Sequence, residues 1–244
     1  MTDLRTSHRT TELLTYYDDA AGERTGLTAP ELGNWTSAVS ALLTDGLGVG
    51  PGNRAAVLLP PHWQTAALLL GAWAAGVEVS YQGWATAGLS APSATYDVSF
   101  VAGRRVGSWL EEIPPAKHQF VLGLAPHGGP TADVPDGYRD FLAELRPFTQ
   151  AAPPPSGIAD TRAATPDGTT YRELTTVAAG IAEMRSIGAG DRVLVDAASV
   201  EEPLFWLLAP LTAGASLVVC ANLDPAARDD RIAAEGVTHV LGEL

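Results

Sequence analysis

Two related α/β subdomains, with mainly parallel sheets flanked by helices, are what this 244-residue sequence predicts. Three observations carry the prediction. Short β-branched or aromatic apolar runs alternate with stretches of helical periodicity, the order that gives parallel strands joined by crossover helices. A proline-rich stretch, Pro147 to Gly157 with Pro153, Pro154 and Pro155 in series, is fit for neither a helix nor an internal strand and divides the pattern in two. Finally, residues 41–80 lie over residues 179–218 without a gap, so that Gly50, Gly52, Arg54, Val57, Leu69, Leu70, Ala75 and Gly76 meet Gly188, Gly190, Arg192, Val195, Leu207, Leu208, Ala213 and Gly214. The matched glycines fall at the turn before a strand and at the end of the following helix, where left-handed backbone is needed.

In chain order, periodicity predicts helices over Thr11–Ala20 and Ala29–Leu47, a strand Ala55–Leu59, a helix His62–Ala75 and a strand Val77–Tyr81. Strands Asp97–Ala102 and Gln119–Leu124 follow, because both runs are short, apolar and bounded by Gly or Pro, and then a helix Gly137–Arg146. Beyond the prolines come a helix Tyr171–Ser186, a strand Arg192–Asp196, a helix Glu202–Ala213, a strand Ser216–Cys220, a helix Pro225–Glu235 and a strand Thr238–Leu241. The expected division is a first subdomain over 1–146, a linker over 147–160 and a second, partial subdomain over 161–244. Each half opens with a capping box, Thr28-Ala29-Pro30-Glu31 and Thr170-Tyr171-Arg172-Glu173, in which threonine caps the helix and glutamate reaches back.

Composition narrows the function classes. No apolar run approaches the ~18 residues of a membrane helix, and Met1 to Tyr17 has no apolar signal region, so a cytoplasmic protein is expected. A formal charge of −13 repels phosphate backbones and anionic lipid, which argues against nucleic-acid and membrane partners. Cys220, the only cysteine, closes an apolar run and reads as a small buried hydrophobe. The histidines show no metal-site spacing and no Gly-x-Ser-x-Gly elbow is present, so neither metal nor catalytic residues are assigned. The loop Pro126-His127-Gly128-Gly129-Pro130 follows a strand, where α/β ligands bind, but its composition reads as a solvent turn. Lys117 is the only lysine among 15 basic residues, so it is the only candidate for chemistry that needs an ammonium group.

Several segments resemble one known family. Thr28-Ala29-Pro30-Glu31-Leu32, Gly48-Val49-Gly50-Pro51-Gly52-Asn53-Arg54, Leu58-Leu59-Pro60 and Trp73-Ala74-Ala75-Gly76-Val77 in the first half are similar to the front part of adenylate-forming, AMP-binding enzymes of the acyl-CoA synthetase kind. Gly190-Asp191-Arg192-Val193-Leu194 and Leu208-Ala209-Pro210-Leu211-Thr212-Ala213-Gly214-Ala215 continue the likeness, which is nearest to a group of short actinobacterial proteins. The resemblance implies an acyl-CoA synthetase N-terminal-like fold, and every matched piece is scaffold.

The family's Ser/Thr/Gly-rich loop, whose amides and lysine hold ATP phosphates, corresponds here to Asp160–Thr170. Gly168, Thr169 and Thr170 are its remnant, and the competing reading is that Thr170 caps its helix with Glu173. No lysine is present, and Asp160 and Asp167 oppose a triphosphate. On the resemblance, the family's Tyr-Gly-x-Thr-Glu segment, ribose-binding aspartate and mobile C-terminal domain would follow Leu244. The expectation is a catalytically degenerate relative that binds a small ligand or a protein partner, with no resident cofactor and ATP or AMP as the nucleotides to test. Two alternatives stay open: an active adenylate-forming ligase of altered mechanism or completed by a partner chain, and a non-enzymatic homo-oligomeric scaffold.

Overall fold

The computed structural model describes residues 11–84, 95–108, 113–129, 131, 133–154 and 160–242. They divide into two compact units: residues 11–33, 61–66 and 172–242 form the first, and residues 34–60 and 67–171 the second. Each unit is built on a five-stranded sheet. The partition therefore does not fall at the proline stretch of the expected linker, of which residues 155–159 lie outside the described set and Arg146–Phe148 forms a 3-10 turn.

The sheet of the second unit is made of β3 (Arg54–Leu58), β4 (Glu78–Tyr81), β5 (Tyr96–Ala102), β6 (Ala116–Leu122) and β7 (Arg139–Asp140), in the order β4-β3-β5-β6-β7 and parallel throughout. Parallel strands need crossovers, and α2 (Trp63–Ala74) supplies the one between β3 and β4. In register, Val57 sits beside Phe100 and Phe100 beside Phe120, so one face collects aromatic bulk. Phe141 closes that cluster with ring centroids 5.5 and 6.2 Å from Phe100 and Phe120. It opens α3 (Phe141–Leu145), whose N-cap Asp140 accepts the Ala143 N–H at 2.6 Å. The helix expected over Gly137–Arg146 is thus shorter, because Arg139 and Asp140 are drawn into a strand beside β6.

A glycine decides how closely two helical segments of this unit approach. A Cβ on Gly71 in α2 would stand 2.5 Å from Val39 Cβ, on the helix α1 (Ala29–Ala41). That helix starts as expected, with Thr28 Oγ1 accepting from the Glu31 N–H and Glu31 Oε2 accepting from the Thr28 N–H, and it runs on into a π-turn, Leu42–Gly46.

The first unit holds β8 (Arg192–Asp196), β9 (Ser216–Ala221) and β10 (His239–Leu241), joined by α5 (Ala209–Ala213, entered through a π-turn Leu204–Leu208) and α6 (Arg228–Glu235). The helix α4 (Tyr171–Met184) precedes them. Their sheet has the order β10-β8-β9-β1-β2, in which β1 (Glu12–Asp18) lies parallel to β9 and antiparallel to β2 (Glu23–Thr28). The helix expected over Thr11–Ala20 is therefore a strand. Thr15, Tyr16 and Tyr17 favour extended backbone, and pairing with Val218, Val219 and Cys220 overrides the local helical reading. The second strand of this hairpin was not anticipated at all, although Gly22, at φ +66°, marks its turn. Leu194, Val218 and Cys220 form the core beneath α6, with Tyr17, Ile232 and Val240 packed around them. Burial pushes the Cys220 thiol up to about 11, so it stays protonated and inert, as its sequence context indicates.

Candidate functional site

In open parallel α/β sheets, ligands bind outside the carboxyl ends of the strands, where neighbouring connections leave in opposite directions. In the second unit β3 is followed by β4 on one side while β5 lies on the other, so the carboxyl ends of β3 and β5 mark that place. The chain there is built from the segment after β4, the 3-10 turn Gly103–Arg105 after β5 and the loop after β6.

Two arginines and a tryptophan meet at this edge. Arg105 is only 1 % exposed, and its Nη1 donates to the Gln82 carbonyl at 2.7 Å, tying the turn after β5 to the segment after β4. The guanidinium carbons of Arg104 and Arg105 stand 5.3 and 5.4 Å from the Trp84 ring centroid, within cation–π range. Trp84 keeps 40 % of its surface exposed, and Arg104 is exposed and makes no ion pair among the described residues. Guanidinium stays charged at any accessible pH, and an indole face accepts a flat ring. The cluster can therefore hold an anion and a planar group together.

The neighbouring loop after β6 is backbone-strained. Leu124 and His127 both take left-handed conformations, at φ +52° and +56°, which a bulky residue adopts at a cost of about 1–2 kcal/mol. The Gly123 N–H is held by Thr131 Oγ1 at 3.0 Å. The sequence reads this loop as a solvent turn; the structure puts it beside the strand end that carries Arg104.

Gly168, Thr169 and Thr170 come together in a tight hairpin rather than an open cradle. Ala163 and Thr170 form an antiparallel bridge, and the Ala164 N–H donates to the Thr169 carbonyl at 2.7 Å. At the turn, Gly168 has φ +91° and its N–H reaches the Thr165 carbonyl. Asp167 Oδ1 accepts both the Thr165 hydroxyl, at 2.5 Å, and the Thr169 N–H, at 3.0 Å. Those bonds, the Thr165 hydroxyl foremost, hold the Asp167 carboxyl below its ordinary value. One donor that a phosphate loop offers is thus given to the chain's own carboxylate. Ala164 also accepts the Val79 N–H at 2.8 Å and Trp73 Nε1 at 3.3 Å, so this segment covers the outer edge of β4.

A concavity of about 560 Å³ lies in the first unit at the amino ends of β8 and β9 and is lined by Glu12, Arg24, Arg192, Ser216 and Glu235 among others. Its charges answer one another. Arg24 pairs with Glu12 at 2.7 Å and with Glu235 at 3.1 Å, and Arg192 pairs with Glu235. Tyr17 Oη donates to Glu235 at 2.6 Å and Arg192 Nη2 donates to Thr15 Oγ1 at 2.7 Å. Burial works to raise the Glu235 carboxyl, but the hydrogen bonds from Tyr17, Arg192 and Arg24 together bring it below the usual range. The arginines also face the carbonyl ends of α5 and α6, which close at Gly214 and Gly236, where positive charge is favoured. This cleft is a structural tie.

Comparison with known proteins places the chain. A protein of Mycobacterium tuberculosis described as a TIGR03089 family protein is 37% identical over 233 residues, covering 93% of this chain and 90% of its own length. The chain belongs to the TIGR03089 family. No model of a protein family matches it. Among solved structures, the acetoacetyl-CoA synthetase from Streptomyces lividans matches 98% of the chain at a TM-score of 0.72 and 20% identity, and an acyl-CoA synthetase of Brucella canis matches 97% at 0.70 and 20%. A fatty acyl-adenylate ligase from L. pneumophila, solved with acyl adenylate and pyrophosphate, matches 97% at 0.66 and 14%. The chain spans 41%, 45% and 42% of those three proteins, and at these identities the likeness is one of fold. This TIGR03089 family member thus has the N-terminal architecture of adenylate-forming enzymes. Among its described residues no helix is long and apolar enough to cross a membrane.

Proposed function

We propose that this chain is a catalytically degenerate member of the adenylate-forming fold that binds a small anionic ligand bearing a planar ring, such as a nucleotide or coenzyme A. The observation that carries the reading is the Arg104–Trp84–Arg105 cluster, an exposed indole beneath two guanidiniums at the carboxyl edge of a parallel sheet. In a chain of net charge −13, a persistent positive site at this place is a local exception to the overall field. Supporting the degenerate half of the reading, Asp160–Thr170 contains no lysine, and Asp167 takes the Thr169 N–H.

Two assays test the two halves. Equilibrium titration of the purified chain with coenzyme A, AMP and ATP-Mg is expected to give saturable binding of at least one of them, weakened tenfold or more in Trp84→Ala. Binding by none of the three would refute the ligand class. ATP–pyrophosphate exchange is expected to stay at background with a panel of short and long carboxylic acids, and robust exchange with any of them would refute degeneracy.

A further inference from the structure

At the start of α2 stand two buried polar side chains that carry hydrogen-bonding atoms with no partner among the described residues. His62 is 1 % and Gln64 2 % exposed, and both belong to the first unit, as does Tyr16 of β1, whose ring meets the imidazole edge-on with centroids 4.2 Å apart. His62 Nδ1 accepts the Gln64 N–H at 3.0 Å, so the imidazole caps the helix in the way a Ser or Asp side chain usually does. A nitrogen that accepts an N–H carries no proton, and the neutral ring must then bear its proton on Nε2. Burial keeps the ring neutral, pushing its pKa down to about 3.

That tautomer has a consequence. Nε2–H is a donor with no acceptor among the described residues, and Gln64 Nε2 and Oε1 have no partner there either. Three such atoms from two residues two positions apart are costly together, since each buried unpaired group forfeits about 1–3 kcal/mol, and native interiors seldom leave polar atoms in this condition. The inventory of free positions also defines what satisfies them: an acceptor for His62 Nε2–H, an acceptor for the Gln64 NH₂ and a donor for the Gln64 carbonyl. A metal ion cannot accept a hydrogen bond, and a fully ionised anion leaves Oε1 without a donor. A water molecule supplies both roles at once.

We propose that His62 and Gln64 enclose a site for ordered water at the amino end of α2, a hydrated polar pocket set against Tyr16. The bound water, together with the Nδ1 cap, holds His62 in the Nε2–H tautomer, and exchange with bulk solvent is slow because both side chains are almost wholly covered.

The sign of one substitution separates this from a merely orphaned pair. Gln64→Met keeps the volume and helix propensity of the residue but removes its polar atoms. If water is held between the amide and the imidazole, the substitution lowers Tm; if the amide is unsatisfied, the same change raises Tm, and a rise overturns the proposal. Imidazole ¹⁵N spectra of the wild-type protein need no variant. They are expected to show an Nε2–H proton on His62 with a cross-relaxation peak to long-lived water, whereas an Nδ1–H tautomer or no water contact would overturn it.

Discussion

The segment β3-α2-β4-β5 in one unit and β8-α5-β9-β10 in the other are two copies of one design, and their hydrogen bonds agree almost atom for atom. The Gly50 N–H goes to Asn53 Oδ1 at 2.9 Å and the Gly188 N–H to Asp191 Oδ2 at 2.7 Å. The Glu78 N–H goes to the Asn53 carbonyl and the Ser216 N–H to the Asp191 carbonyl, at 2.9 and 2.8 Å. Gly52 and Gly190 turn at φ +89° and +91°, and Gly76 and Gly214 end their helices at +80° and +79°. Even the N–H that opens each central strand finds a side chain at the start of the next one, Arg54 on Asp97 and Arg192 on Thr238.

The copies part company at their edges. In one, the outer side of β4 is covered by Ala164; in the other, the equivalent β9 pairs with β1 and the sheet grows through it. Arg54 makes a single pair with Glu78 at 2.9 Å and remains 42% exposed, whereas Arg192 is 14% exposed within the network of Glu12, Thr15 and Glu235. Beyond the carboxyl ends, one copy carries Arg104, Arg105 and Trp84, while the other carries Asp18, Asp19, Asp196 and Asp224, whose side chains accept from their own turns, from Asn222 and the Asp224 N–H, or from Arg231. A shared scaffold thus fixes the turns, and the copies differ in the side chains that follow their strands.

The largest effect that separates the copies is expected at their arginines. Glu235→Ala leaves Arg192 covered and without its carboxylate, a loss of about 3 kcal/mol by analogy with broken buried pairs, read from urea unfolding. Next come the helix-ending glycines. A Cβ at Gly76 would lie 2.9 Å from Pro51 Cγ, against 3.5 Å from Ala189 Cβ for one at Gly214. Gly214→Ala should therefore cost the left-handed penalty alone, about 1–2 kcal/mol, and Gly76→Ala measurably more in the same assay; equal losses would show that the Pro51 contact relaxes freely.

How far these features were legible depends on how locally they are determined. The αL glycines, the Thr28–Glu31 capping box and the strand β8 follow from a few adjacent residues, and each appears where periodicity and spacing put it. β1 does not, because its partner Leu217–Ala221 lies some two hundred residues away in the chain and pairing outweighs the local pattern. The Arg104–Trp84–Arg105 site was missed for a similar reason, since it is assembled from two loops after different strands. A signal was present: adjacent arginines directly after an apolar strand are unusual in so acidic a chain. Gly168, Thr169 and Thr170 lie in a tight hairpin, and what the sequence did not disclose is that Asp167 folds back onto it.

Two smaller effects sharpen the comparison. Hydrogen bonds from the Gly188 N–H, first, and the Thr238 hydroxyl lower the Asp191 pKa. A depressed carboxyl contributes stability above its unfolded value and loses it as the pH falls through the folded one. Wild type should therefore lose more stability than Asp191→Asn between neutral and acid pH, while Asn53, its counterpart, does not titrate; parallel pH profiles would contradict the assignment. The smallest effect is Glu78→Ala, at about 0.5 kcal/mol for a partly exposed pair, checked by the shift in urea midpoint.

The most direct test of the account is a thermal shift with coenzyme A, AMP and ATP-Mg on wild type, Arg104→Ala and Thr169→Ala. A ligand-dependent rise in Tm that disappears in Arg104→Ala and survives in Thr169→Ala is the expected result. A rise that survives in Arg104→Ala and disappears in Thr169→Ala would contradict the account and return the binding site to the Gly168–Thr170 loop.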